Sequence, residues 1–229
     1  MPIRCSTDFK NMIMNNKGKT AVRLAFYLGG LLIMALGVTI SVKSGLGVTP
    51  ISSVPYTISI VFGIELGLAT TIFSVIAAAF EIPVLRSKYK LTNLLQIPIS
   101  IVFGLFMSTC NKMVQTLPSP DSFAIRFILM LISTVVVSVG VFMYVSSGFI
   151  PLPTEGLLIA IAQVSKMKFA SLKLIGDITM VIVSLVTCLI VLHQFGSIGI
   201  GTIVSALLVG NEVKILTKHF GEKLKNLFA

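Results

Sequence analysis

The sequence predicts an all-α fold, a polytopic helical membrane protein, on three observations. Its apolar content exceeds what a soluble core of this size can bury, its apolar runs reach bilayer-spanning length, and its basic residues fall between those runs. Of 229 residues, 55% are hydrophobic and 11% charged, and the mean hydropathy is +1.00. A soluble domain of this length has no place for so much apolar surface. Runs with little or no charge cover Leu24–Val42, Ser44–Ile64, Leu91–Asn111, Phe127–Thr154 and Ile178–Asn211, each near or beyond the roughly 20 residues a helix needs to cross a ~30 Å hydrocarbon core. Strand-length apolar stretches occur only inside these longer runs, so helices are the expected spanning element.

A formal net charge of +10 could suit nucleic acid, but the basic residues form no single patch. Lys10, Lys17, Lys19 and Arg23 precede the first run, and Arg86, Lys88 and Lys90 interrupt the first half. Lys166, Lys168 and Lys173 interrupt the second half, and Lys214, Lys218, Lys223 and Lys225 close the chain. That is the pattern of cytoplasmic loops and tails beside an anionic leaflet, so the expected partner is the lipid bilayer, with no nucleic acid. The expected location is the bacterial cytoplasmic membrane, multi-pass, with both termini cytoplasmic. The first apolar run is too long for a signal peptide and has no small-residue cleavage pattern before Lys43. Cys5, Cys110 and Cys188 are odd in number and scattered, and read as free thiols.

The element plan follows from an internal match. Displacing the chain by 103 positions pairs Arg23 with Arg126, Leu28 with Leu131, Gly37 with Gly140, Val42 with Val145, Ser44 with Ser147, Gly45 with Gly148 and Pro50 with Pro153. Two copies of a four-segment unit explain this, against the competing reading of chance likeness between Val/Ile/Leu-rich helices. In each copy a long helix (Arg23–Lys43; Arg126–Ser146) ends at Ser-Gly, where glycine permits a turn. A short helix then starts at Pro50 or Pro153, a position where a missing N–H costs nothing, and ends at Gly63-Ile64-Glu65 or Lys166-Met167-Lys168. About 13 residues span only ~20 Å, too short to cross upright. Third helices (Leu66–Leu85; Phe169–His193) and fourth helices (Leu91–Asn111; Ser197–Asn211) complete the units.

The organisation expected is a cytoplasmic basic segment at 1–20, a first membrane repeat at 21–112, a connecting loop at 113–122, a second repeat at 123–212 and a basic cytoplasmic tail at 213–229. Two topologies fit. With re-entrant short helices there are six full spans and inverted halves, which the positive-inside bias favours. With crossing short helices there are eight spans and parallel halves, which the match of Arg23 to Arg126 favours.

Short helices that begin inside a membrane present unsatisfied N–H groups and a positive dipole end, a ready site for an anionic group. Ionisable residues inside apolar runs are the second clue to a site. Asp177 lies about eight residues into its helix with Lys173 one turn earlier on the same face, either a structural pair or a substrate site. Glu155 falls in the first turn of the second short helix, where it complements the dipole. Ser74 is the position matching Asp177, and Thr49 precedes the first short helix. Gln96 and Gln163 are suited to bonding a ligand or a neighbouring helix. Glu81 is expected to reach the interface near Arg86, solvated or paired. The candidate substrate-binding set is thus Asp177, Lys173, Glu155, Gln96, Ser74 and Thr49, with structural breaks at Gly45, Pro50, Gly148, Pro153, Gly199 and Gly201.

GSIGIGT at Gly196–Thr202 follows an apolar helix rather than a strand, so close helix packing or an unwound backbone is expected there instead of a dinucleotide loop. No Gly-Lys-Ser/Thr phosphate loop, His-Glu-x-x-His helix or Cys-x-x-Cys pair is present, and His193 and His219 stand alone in the sequence. Neither a cofactor nor a metal is expected, and no catalytic residue is nominated.

SGLGVTP, LGLATTIF, LLQIP, PTEGL, the Lys173 and Asp177 pair, and GSIGIGT with Val209-Gly210 together resemble the YczE/YyaS/YitT-type family of bacterial integral membrane proteins, over nearly all of Arg23 to Gly210. The resemblance implies a polytopic, transporter-like protein. The chain departs from the pattern in the third helix, where Ser74 and Glu81 stand in place of Asn or Gln. The expected function is secondary-type transport of an unknown small-molecule substrate at a site between the two repeats. An assembly partner or substrate-binding subunit, with a partner subunit or a homo-oligomer, is the alternative, and an intramembrane enzyme a further one.

Overall fold

The computed structural model describes residues 17–228, and within them the chain is all helical. Cys5, Lys10 and most of the segment 1–20 lie outside the described residues. Eight α-helices follow in order: α1 (Lys17–Ser44), α2 (Pro50–Phe62), α3 (Leu66–Leu85), α4 (Gln96–Gln115), α5 (Phe123–Ser146), α6 (Pro153–Ser165), α7 (Phe169–Leu192) and α8 (Ile200–Phe228). Two 3-10 turns, Arg86–Lys88 and Leu91–Leu95, join α3 to α4. Six of the helices are long and apolar enough to cross a membrane, while α2 and α6, at 13 residues each, are not among them. Leu32, Phe80, Leu105, Ile128, Ile190 and Ile203 face outward, as a lipid-facing surface requires.

The two breaks are built alike. Gly45 (φ 65°) and Gly148 (φ 70°) take the left-handed turn that only glycine adopts freely. The preceding serines are buried and bond back to the helix, Ser44 Oγ to Ser41 O at 2.7 Å and Ser147 Oγ to Tyr144 O at 2.6 Å. Proline opens each short helix, and a left-handed residue closes it, Gly63 at φ 64° and Lys166 at φ 59°. These features recur at a spacing of 103 residues.

A seam between α1 and α5 forms the centre. A Cβ on Gly37 would stand 2.7 Å from the Val137 backbone nitrogen, and one on Gly140 2.7 Å from Met34 Cα, so the backbones touch as small residues allow in membranes. Tyr27, Leu31, Met34, Val38, Phe103 and Met107 fill the core beside this seam.

Contacts at the helix ends give the topology. Lys43, ending α1, donates to Gln115 O at 3.4 Å, ending α4. Glu65, just before α3, pairs with Lys112 of α4 at 2.8 Å. So α1 ends and α3 begins at the same end of the bundle, and α2 between them enters and returns without crossing. At the other end, α5 finishes antiparallel to α1, and α6 starts against the last turns of α3. Among the described residues there are therefore six candidate spans, with α2 and α6 each returning to one end of the bundle, an arrangement that fits the six-span reading rather than the eight-span one. Arg86, Lys88, Lys90, Lys166 and Lys168 share one end, termed the basic end; Lys43, Lys112 and Arg126 lie at the far end.

Helix limits differ from those read in the sequence at α1, which begins at Lys17 instead of Arg23, at α5, which begins at Phe123 instead of Arg126, and at both fourth helices. A 3-10 connection takes Leu91–Leu95, so α4 proper begins at Gln96 and runs to Gln115. α8 begins at Ile200 and continues to Phe228 instead of stopping near Asn211, so most of 213–229 is helix. Hydropathy falls after Asn211, but the residues there remain good helix formers and no proline intervenes.

Candidate functional site

α2 and α6 start inside the bundle, and their first turns meet at a common cavity. It is lined by Met34, Ser52, Pro55, Ser74, Phe103 and Thr154, among others, and encloses about 30 Å³, room for a water-sized group. Each short helix packs in parallel along the third helix of the other half, α2 on α7 and α6 on α3. The loop before α2 is held by α8, with Gly201 N donating to Leu46 O at 2.7 Å and Val48 N to Ser197 O at 3.3 Å. Gly199 and Gly201 are needed there because a Cβ on either would strike Leu46.

The second half supplies an acidic cluster. Tyr144 donates to Glu155 Oε2 at 2.5 Å and accepts from the Leu152 amide at 2.7 Å, so one buried hydroxyl ties the end of α5 to the start of α6. The Tyr27 ring lies tilted against that of Tyr144, centroids 5.6 Å apart, and its hydroxyl donates to Ile150 O at 2.9 Å. Lys173 and Asp177 pair at 2.9 Å on α7, both partly exposed, and α7 packs against α6, whose first turn carries Glu155.

Against the first turn of α6 lies a second acid. Glu81 is only 1% exposed, which corrects the expectation of a solvated or Arg86-paired residue. The 3-10 connection folds the start of α4 back over α3, so that Asn93 Nδ2 and Gln96 Nε2 donate to Glu81 Oε2 at 3.1 and 3.3 Å. A Cβ on Gly156 would overlap Glu81 Oε1 and stand 2.7 Å from Gln96 Oε1. Glycine at 156 is what lets this carboxylate close onto α6.

Of the residues nominated from sequence, Asp177, Lys173 and Glu155 form one cluster, and Gln96 joins Glu81 on the other side of Gly156. Ser74 lines the cavity. Thr49, buried, bonds Ser52 Oγ at 3.0 Å at the cavity's edge. Gln163 is exposed. Sequence reasoning missed Tyr144, Asn93 and Thr154, and also Glu212, which accepts from Ser138 at 2.7 Å and Thr134 at 3.2 Å between α5 and α8. Glu212 follows directly on the last apolar run, where hydropathy placed the end of the span. Outside the spans, Glu65 is the perturbed carboxylate: its hydrogen bonds from Lys112 and Ser108 hold it below the usual range.

The apolar spans, the paired breaks and the match of residues 21–218 to the family described as "Family of unknown function (DUF6198)" decide the classification. The chain belongs to this family. Among its relatives, the "Uncharacterized membrane protein YczE" of Bacillus subtilis (strain 168) is 25% identical over 195 residues, 85% of either chain. The "Uncharacterized protein YyaS" of the same organism is 24% identical over 206 residues, 88% of this chain and 98% of that one. No solved structure matches. This DUF6198 chain is a membrane protein.

Proposed function

We propose that this protein is a secondary transporter of a small solute, working from the bacterial cytoplasmic membrane with both termini in the cytoplasm. One observation carries the reading: two re-entrant helices begin inside the bundle and aim their first turns at one cavity lined by Ser52, Thr70, Ser74 and Thr154, with Glu155 next along α6 and the Lys173–Asp177 pair on the neighbouring α7. Converging helix N-termini within a membrane supply preorganised donors for a carboxylate or other anionic group. The surplus of carboxylate over ammonium suits a solute that also bears an amino group. We read the halves, whose breaks recur at a spacing of 103 residues, as inverted copies that rock about the α1–α5 seam to alternate access. The cavity of about 30 Å³ then belongs to a closed state between two open ones. The reading is of a carrier rather than an enzyme.

Thermal stabilisation of the purified protein tests it, because a ligand that binds the folded state raises its stability by mass action. Amino acids, amines, organic acids, vitamins and nucleobases form the panel, beside Asp177→Asn. A solute that stabilises the native chain but not the variant, and that crosses proteoliposomes, is the expected result. A blank panel with no flux sinks the proposal. Orientation is checked with a cysteine at Lys88: labelling confined to the outside would reverse the assignment.

One observation favours a second reading, a subunit of a larger assembly. α3 packs along α4, whereas the corresponding pair, α7 and α8, barely touch and are the least covered of the six spans. Copurification of a second membrane protein on that face would support it.

A further inference from the structure

We propose that Glu81 and Gln96 form a proton-binding site, with the Glu81 carboxyl neutral while α6 is packed on α3 and its Oε1–H donated to Gln96 Oε1. Both side chains are buried, at 1% and 3% exposure. Glu81 Oε2 is satisfied by Asn93 and Gln96. Glu81 Oε1 and Gln96 Oε1, by contrast, have no hydrogen-bond partner, and both crowd the same point above Gly156. Two water-stripped acceptors facing one spot are mutually unfavourable. A single proton turns one of them into a donor, satisfies both and removes the buried charge. A metal cation accounts for the pair less well: it needs more oxygen ligands than these, and it would face the positive first turn of α6.

The titratable and charged residues of every packed neighbour are few. α6 carries Glu155, engaged by Tyr144; α2 carries Tyr56; α4 carries none before Cys110. The connection to α4 carries Arg86, Lys88, Tyr89 and Lys90. Glu81 lies one turn before Leu85, where α3 ends at the basic end. When α6 tilts away from α3, water reaches Oε1 and takes the proton, leaving a carboxylate and a hydronium ion. The use of that proton to drive solute movement rests on the transport reading above; the site itself does not.

Infrared spectroscopy of the full chain in lipid nanodiscs tests the site without any solute. At neutral pH the native protein should show a protonated-carboxyl stretch that shifts in D2O and is missing from Glu81→Gln, a variant that mimics the neutral acid and keeps the native melting midpoint. Gln96→Leu should retain the band at a shifted frequency, because its acceptor is gone. Three results overturn the inference: no native-minus-variant band, a band erased by sodium or potassium chloride at constant pH, or a Glu81→Gln midpoint lowered as far as that of Glu81→Ala. A band found in a protein that moves no solute would keep this site and remove only the transport reading.

Discussion

The two short helices occupy equivalent places and meet their neighbours with opposite chemistry. Where α2 lies on α7, Ser184 donates to Ser53 at 3.0 Å, and the Thr57 and Ser197 hydroxyls hydrogen-bond to each other at 2.6 Å beside Cys188. Where α6 lies on α3, the positions 103 residues away from Ser53 and Ser184 are Gly156 and Glu81, a glycine with a carboxylate pressed onto it. A pair of hydroxyls is enough to hold such a contact together. The acid on the other side is therefore not demanded by packing, and that is the argument for chemistry there.

The comparison breaks most readily at Gly156. Alanine has no room, so Gly156→Ala should cost about 1–3 kcal/mol through overpacking, read as a large fall in the melting midpoint in detergent. Ser53→Ala, at the equivalent place, removes one hydrogen bond and leaves space. Equal midpoints for the two variants would mean that Glu81 does not rest on α6. Next in size is Tyr144→Phe, which strips a hydrogen bond from the Glu155 carboxylate and another from the buried Leu152 amide, at about 1–3 kcal/mol. It should lower the midpoint further than Tyr27→Phe, which loses a single bond to Ile150 O.

Ser184→Ala sharpens the neutral side of the comparison, with an expected loss of about 1 kcal/mol. The double variant with Ser53→Ala should cost little more than either change alone, since both remove the same bond. Smallest is the exposed pair at the far end. Because Lys112 and Ser108 hold the Glu65 carboxyl below its usual range, whatever the contact contributes is present above the ordinary carboxylate range and fades as pH falls through the lowered value. Lys112→Ala should leave the neutral-pH midpoint unchanged within error and abolish only a slight extra acid sensitivity.

Much of the framework was legible because its signals are local. Glycine and proline state a backbone requirement where they stand, so the breaks at Gly45, Pro50, Gly148 and Pro153 and the start of both short helices could be read directly. Leu66–Leu85 was bounded correctly by the glutamate before it and the basic turn after it. The acid at Glu81 was not legible, because its environment is made by residues that come back from α4 after an irregular turn. Nearness in sequence to Arg86 pointed to the interface, while the fold turned the side chain inward. Tyr144 was missed for a related reason: an aromatic in an apolar run looks like core until both of its hydrogen-bond partners are seen. The end of α8 was missed because hydropathy marks where lipid stops, not where a helix does.

The crosswise seating of α2 and α6 has a consequence for assembly. Each half of the chain lends its short helix to a groove completed by the other, like fingers of two clasped hands, while the loop 116–122, exposed apart from Pro120, is the covalent link between them. Two separate polypeptides cut at that loop should therefore find each other in the membrane and clasp. Neither should fold well when made alone.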